Sequence, residues 1–331
     1  MRKLGLLALA VLVLAALLGA CGGAHLPPSA PVAQGAGGLW QDAAILEQAG
    51  QLIEDARERV LLEMYEFGRR DLRALLPGAA ARGVAVRAVL DPSVGATLQT
   101  GRYLAGAGVP VRWYPVDAAA GQIDHVKLLV VDGVALVGGM NWGAGSGRNH
   151  DFALLLRGAA VGEAAAVFEH DWALAGGSPV TAPVWEAASA LAETSPGEGV
   201  RSALSRALQT APGVIEVEMY SFTEPGVLLG LARRAGAGAK VRVILDPNQR
   251  ENEATARLLA AGGVAVRRFR PPPGAKLHAK AGLFGQLLIL GSANWTEHGL
   301  AINHELDATT TDTAAVAAFR SRFETDWAAS Y

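Results

Sequence analysis

Short runs rich in Val, Leu and Ile alternate along the chain with longer Ala- and Leu-rich stretches of helical character. "LLEMYEF" (61–67) and "VRAVLDP" (86–92) read as strands, and "ENEATARLLAAGG" (251–263) reads as a helix. Strands that are apolar almost throughout and separated by helices belong to a sheet covered on both faces. The pattern predicts an α/β fold with mixed, mostly parallel sheets sandwiched by helices.

The pattern also occurs twice, with offsets of 153 to 155 residues. "LLEMYEF" returns as "EVEMYSF" (216–222), "VRAVLDP" as "VRVILDP" (241–247), "VPVRWYP" (109–115) as "VAVRRFR" (264–270), and "RNHDFAL" (148–154) as "INHELDA" (302–308). Each copy closes on a helix ending in Asp-Trp, at Trp172 and Trp327. Two similar halves follow, residues 40–178 and 179–331, divided at the turn-forming cluster "GGSPVTAP".

Within the repeat, "DHVKLLVVDGVALVGGMNW" (124–142) and "KLHAKAGLFGQLLILGSANW" (276–295) share a His, a Lys two positions later and an Asn sixteen after the His. Residues i and i+2 of a strand share a face, so His125 points with Lys127, and His278 with Lys280. Asp132-Gly133 predicts a two-residue hairpin turn that pairs Val131 with Val134, Lys127 with Gly138 and His125 with Met140. In the second copy the turn falls on Gly285-Gln286, where a Gly at the first central position suits a type II′ turn. Small residues opposite the polar pairs leave room for a ligand to approach the backbone.

Two His, two Lys and two Asn in repeated positions imply one pseudo-twofold site at the interface of the halves. Lys127, Lys280, Asn141 and Asn294 are donors suited to a phosphoryl group, because fixed charges and amides stabilise developing negative charge without reorganising. One neutral imidazole can attack phosphorus while the other, protonated, gives a proton to the leaving oxygen. That division of labour needs neither a metal nor a cofactor.

These two segments resemble the paired HxK-x4-D and Gly-Ser/Gly-x-Asn signatures of the phospholipase D superfamily, and the likeness covers the chain beyond its first 40 or so residues. The resemblance implies a two-step displacement through a covalent phosphohistidine, cleaving or exchanging phosphodiester bonds. By the same resemblance His125 is the nucleophile and His278 the general acid, although the twofold repeat itself does not decide between them. It also implies that Asp151 and Glu305, in "NHD" and "NHE" and standing 26 and 27 residues after their respective His, orient the imidazoles, each in its own half. Two departures stand out. Gly139 replaces a Ser that the second copy keeps as Ser292, assigned a minor phosphate-contacting or supporting role. The second copy has Gly285 where the first has Asp132, so Asp132 is read as a turn or supporting residue.

Other repeated residues take supporting readings. His150 and His304 are expected in supporting or packing positions, and Glu63, Glu218, Tyr65 and Tyr220 in the core or cleft wall. His25, His170 and His298 have no counterparts and are expected to be solvated. The run Arg267, Arg268, Arg270 and Lys276 is a candidate for drawing in anionic substrate, and prolines 271–273 for a lid.

A net charge of −2 over 331 residues is not the basic footprint of a protein that grips nucleic acid by its phosphates, which favours phospholipid over nucleic acid as the partner. Arg2 and Lys3 precede an apolar run from Leu4 to Leu18, and "LLGAC" resembles the processing site of bacterial lipoproteins with Cys21 as the lipidated residue. Residues 1–21 are therefore expected to be an export signal and 22–39 a flexible tether, giving an exported protein anchored to the cell envelope. No later stretch is long and apolar enough to span a bilayer, so the body is expected to be soluble. With both halves on one chain, oligomerisation is not required. A phospholipid-headgroup phosphodiesterase is the favoured reading; a phosphatidyltransferase, a metal-independent nuclease and a non-catalytic lipoprotein that binds anionic lipid are the alternatives.

Overall fold

The apolar runs pair into two seven-stranded sheets with equivalent strand orders, β1-β7-β6-β5-β2-β3-β4 and β8-β14-β13-β12-β9-β10-β11. The computed structural model describes residues 38–178, 189–195 and 197–331. The leader, Cys21 and nearly all of the tether lie outside the described residues, as does most of the boundary segment.

The first half comprises β1 (Leu39–Gln41), α1 (Ala43–Asp55), β2 (Arg59–Met64), α2 (Arg70–Ala81), β3 (Ala85–Leu90), α3 (Gly95–Gly106), β4 (Val111–Trp113), β5 (Lys127–Val131), β6 (Val134–Gly138), β7 (Phe152–Leu156) and α4 (Ala159–Ala175). The second repeats it with β8 (Leu191–Thr194), α5 (Gly199–Thr210), β9 (Val214–Met219), α6 (Pro225–Gly236), β10 (Lys240–Leu245), α7 (Asn252–Ala261), β11 (Ala265–Arg268), β12 (Lys280–Phe284), β13 (Leu287–Gly291), β14 (Glu305–Thr310) and α8 (Thr313–Ala329). Leu39 belongs to the sheet and not to the tether: it pairs with Leu154 and is buried.

The sheets are mixed, but parallel pairing is the minority. Only β2-β3-β4 and β9-β10-β11 run parallel, joined by helices; the hairpins around them are antiparallel. Two outer cores lie between each sheet and its own three helices, one around Leu62, Leu76 and Leu90, the other around Val217, Leu231 and Leu245. The third core is shared by the halves: Leu61, Val130 and Phe168 cluster with Leu283, Phe319 and Phe323. Helices α4 and α8 therefore turn one face into this shared core and the other to solvent, and each is tied down by an arginine. Arg112 donates to the Trp172 carbonyl with its guanidinium 4.2 Å from that ring's centroid, and Arg267 does the same to Trp327 at 4.6 Å. Among the described residues, no helix is long and apolar enough to cross a membrane.

Candidate active site

Each candidate histidine is held by the opposite half. Asp91 and Asp246, at the ends of β3 and β10, accept hydrogen bonds from the backbone N–H of Asp124 and Leu277, each at 2.8 Å. The chain then crosses the interface. His125 donates its backbone N–H to the His304 carbonyl, and His278 donates to the His150 carbonyl, both at 2.8 Å. Parallel bridges join Asp124 to His304 and His150 to Leu277. The histidines thus lie just ahead of β5 and β12, in a short inter-half pairing, and not within a hairpin.

The side chains follow the same crossed logic. His125 Nδ1 faces Glu305 Oε2 at 2.8 Å, and His278 Nδ1 faces Asp151 Oδ2 at 2.7 Å. Each imidazole belongs to one half and its carboxylate to the other, so neither half contains a complete pair. Lys127 and Lys280 donate to the carbonyls of His125 and His278. Lys280 Nζ also stands 3.1 Å from both ring nitrogens of His278. Tyr65 and Tyr220 wall the site, their rings 4.9 Å from His125 and His278 respectively.

Burial and mutual repulsion set the charge states. Burial, then Lys127 and Lys280, hold the His125 imidazole well below its usual range; burial and Lys280 push His278 down to about 3. Both rings are therefore neutral in the free site at neutral pH. The lysines are displaced too, chiefly by burial: Lys127 falls to about 7 and Lys280 to about 8. Burial raises Glu305 to about 7 against the pull of Lys127. Each lysine acts on both imidazoles, so the two sets converge on one centre. Asn141 donates one amide N–H to Glu66 Oε2 at 3.0 Å, and the Oδ1 atoms of Asn141 and Asn294 are buried without a hydrogen-bond partner.

The hairpin registers match the expected ones, with Val131 opposite Val134 and Phe284 opposite Leu287. Asp132 (φ 48) and Gly285 (φ 67) occupy the first central position of each turn. The Asp132 carboxylate accepts the backbone N–H of Arg57, Glu58 and Arg59, each at 2.9 Å, away from the histidines. It is a turn residue. The space over Gly138 and Gly291 is not open to a ligand: a Cβ at Gly138 would stand 2.4 Å from the Phe152 carbonyl oxygen, and one at Gly291 2.3 Å from Asp307 Oδ1. These glycines admit the adjacent strand. A Cβ at Gly139 would stand 2.4 Å from Asp151 Oδ1, the carboxylate that faces His278. Ser292 is fully buried, its hydroxyl accepting from Leu306 N at 2.9 Å and hydrogen bonded to Glu305. Of its two readings, the structure favours support over phosphate contact.

Behind the pairs lie two buried clusters, also crossed. His150 contacts Glu218 Oε2 at 2.8 Å, Asp42 Oδ1 at 2.6 Å and Asp326 Oδ2 at 3.3 Å; His304 contacts Asp171 Oδ2 at 3.1 Å and Glu63 Oε1 at 3.5 Å. Against the penalty of burial, Glu218 and Asp42 raise His150 to about 10. These two groups have the donor types of a metal site, but each imidazole is already engaged by carboxylates. Their role is to fix the backbone of residues 150 and 304, which carries the neighbouring Asp151 and Glu305. Here the Asp of each Asp-Trp pair finds its use, and Asp91 and Asp246 find theirs; the repeated "LDP" and "DW" were the available signals. His170 is not solvated, since its Nδ1 contacts Asp171 at 3.0 Å; His298 is exposed, and His25 lies outside the described residues. Of the basic run, Arg267 and Arg270 bond to the end of α8 and Arg268 pairs with Glu253, leaving Lys276, beside Tyr220, next to the site.

The family described as "Cardiolipin synthase, PLD-like domain" matches residues 50–172 and 204–327, one copy in each half. The chain is 31% identical over 132 residues to the human mitochondrial cardiolipin hydrolase, a match spanning 40% of this chain and 52% of that protein. It therefore spans about half the length of that relative. Among solved structures, phosphatidylserine synthase of Haemophilus influenzae Rd KW20 superposes with a TM-score of 0.66 at 12% identity, covering 87% of this chain and 86% of that one. Polyphosphate kinase of Porphyromonas gingivalis gives 0.62 at 16% identity, covering 86% of this chain and 46% of that one. At such identities the superpositions speak for the fold.

Proposed function

The chain belongs to the phospholipase D superfamily, through two copies of its cardiolipin synthase, PLD-like domain, and from that premise we propose a phosphodiesterase that hydrolyses phospholipid headgroups through a phosphohistidine. The observation that carries the proposal is the crossed pair of His–carboxylate contacts with a buried lysine beside each imidazole. With Nδ1–H of His125 directed at Glu305, its Nε2 lone pair is free to attack phosphorus. As the P–N bond forms, the bond to the leaving alcohol breaks and His278, backed by Asp151, gives that oxygen a proton.

Burial and then the lysine charge depress His278; an anionic phosphodiester between Lys127 and Lys280 offsets the lysine part and so favours a proton on this ring, backed by Asp151. Water then gives a proton to His278 and attacks phosphorus, and the P–N bond breaks. Lys127, Lys280, Asn141 and Asn294 bind the phosphoryl oxygens throughout. An alcohol in place of water makes the same cycle a transfer. Export and lipidation at Cys21 complete the reading and would place the site at an envelope membrane surface.

The test is turnover by residues 22–331, with Cys21 removed, on mixed phospholipid vesicles and on single-stranded DNA in parallel, with EDTA present. Released headgroup that disappears in His125→Ala supports the proposal. Cleaved DNA with intact lipid would transfer the chain to the nuclease reading.

A further inference from the structure

The two asparagines of the site are held by different means. In the first half Asn141 Nδ2 donates to Glu66 Oε2 at 3.0 Å, and Trp142 N donates to the Glu66 carbonyl at 2.9 Å. A carboxylate only accepts, so the side-chain bond fixes which end of the Asn141 amide is the nitrogen. One Nδ2 hydrogen goes to Glu66, and the other is left for a phosphoryl oxygen.

In the second half the residue equivalent to Glu66 is Ser221, in "EMYSF" against "EMYEF". Its hydroxyl donates to Glu251 Oε1 at 2.9 Å. Asn294 is tied instead through its backbone neighbour: Ala293 N donates to Asp307 Oδ1 at 3.0 Å, and the first half has Ala153 where the second has Asp307. Room for the Glu66 carboxylate comes from Gly143. A Cβ there would stand 2.2 Å from Glu66 Oε1, whereas the second half, with its smaller Ser221, has Thr296 at that position. Glu66 with Gly143, and Ser221 with Thr296, are alternative pairs on one frame.

We propose that Glu66 is a positioning residue for phosphoryl transfer, holding the Asn141 amide so that its second N–H meets a phosphoryl oxygen without reorganising. The inference rests on the proposed assignment of Asn141 to those oxygens. Glu66 itself does not touch the substrate. Burial, then the charges of Asp91 and Glu66, raise the Tyr65 hydroxyl above its usual range, and the Tyr65 ring stands 4.9 Å from that of His125. A negative charge so near the site opposes an anionic substrate. What Glu66 contributes is therefore orientation and not attraction, and its removal has a distinctive kinetic signature: kcat falls while KM stays level or falls with it.

The experiment measures kcat and KM separately on a soluble phosphodiester, bis(p-nitrophenyl) phosphate. Glu66→Ser, which installs the residue of the other half, should lower kcat about tenfold with no rise in KM. Glu66→Gln, whose carbonyl still accepts from Asn141, should recover most of that loss. Gly143→Ala keeps Glu66 but takes its space, and should behave as Glu66→Ser does. Asn141→Ala should lower kcat about 10²-fold, and adding Glu66→Ser to it should cost nothing more, because the residue through which Glu66 acts is gone. Native kcat in Glu66→Ser, a Glu66→Gln variant as slow as Glu66→Ser, or the same tenfold loss on top of Asn141→Ala overturns the positioning role. Undiminished turnover by Asn141→Ala overturns instead the assignment beneath it, and the inference falls with that reading.

Discussion

At the scale of single residues, the site depends on groups kept out of their ordinary charge states. Glu305 at about 7 and the lysines at about 7 and 8 define the working range. Below pH 7 Glu305 is protonated and no longer holds Nδ1–H of His125 as a carboxylate; Lys127 loses the charge that binds phosphate above about pH 7, and Lys280 above about pH 8. kcat/KM should rise with pH up to about 7 and fall beyond it, more steeply past about 8, and Glu305→Gln should abolish the rise as well as lower the maximum. A pH–rate profile on soluble substrate reads both limbs. Gly139 is the second sensitive position. Because a Cβ there would stand 2.4 Å from Asp151 Oδ1, Gly139→Ser should displace the carboxylate from His278 and lower kcat by 10²-fold or more, on the order of 3 kcal/mol, with a normal circular dichroism spectrum. The departure of Gly139 from the family pattern was visible in the sequence, but its reason was not: the shorter Asp151 occupies the space a Ser would need, whereas Ser292 is accommodated beside the longer Glu305.

At the scale of elements, hairpin register was legible because an Asp-Gly or Gly-x pair between apolar runs admits few alternatives. The crossed pairing was not legible. Periodicity is a local signal, and the contacts of His125 with Glu305 and of His278 with Asp151 join residues 180 and 127 positions apart. The spacing placed each His and its carboxylate in one half; the structure exchanges them. "LDP" and "DW" were likewise seen as repeats without a role, because the groups they hold, the N–H ahead of each His and the imidazoles of His304 and His150, lie on distant strands. The first turn provides a test of its own. Asp132 sits at φ 48, a region costly to residues with a Cβ, and its carboxylate holds three backbone N–H groups. Asp132→Ala should cost about 2 kcal/mol through lost hydrogen bonds. Asp132→Gly should cost about 1 kcal/mol less, since only glycine enters that region freely, and both variants should keep their turnover. Denaturant unfolding and a single assay decide it; loss of activity in either variant would give Asp132 a chemical role.

At the scale of the whole molecule, duplication explains why one chain carries a symmetric centre with unequal sides. The shared core of α4, α8 and both sheets fixes the halves against each other, and this fixation brings the crossed contacts to one point. Symmetry supplies two similar imidazoles, and they differ in the carboxylate each faces, Glu305 at His125 and Asp151 at His278. The central claim is that His125 carries the phosphoryl group between two displacements. The most direct measurement is mass spectrometry of the chain denatured at alkaline pH during turnover, comparing the native protein with His125→Ala and His278→Ala. The account predicts a phosphatidyl adduct, the phosphoryl group still esterified to the lipid, on the peptide containing His125, longer-lived in His278→Ala because water has lost its base, and no adduct or turnover in His125→Ala. Undiminished turnover by His125→Ala, or an adduct on any residue other than His125, would contradict it.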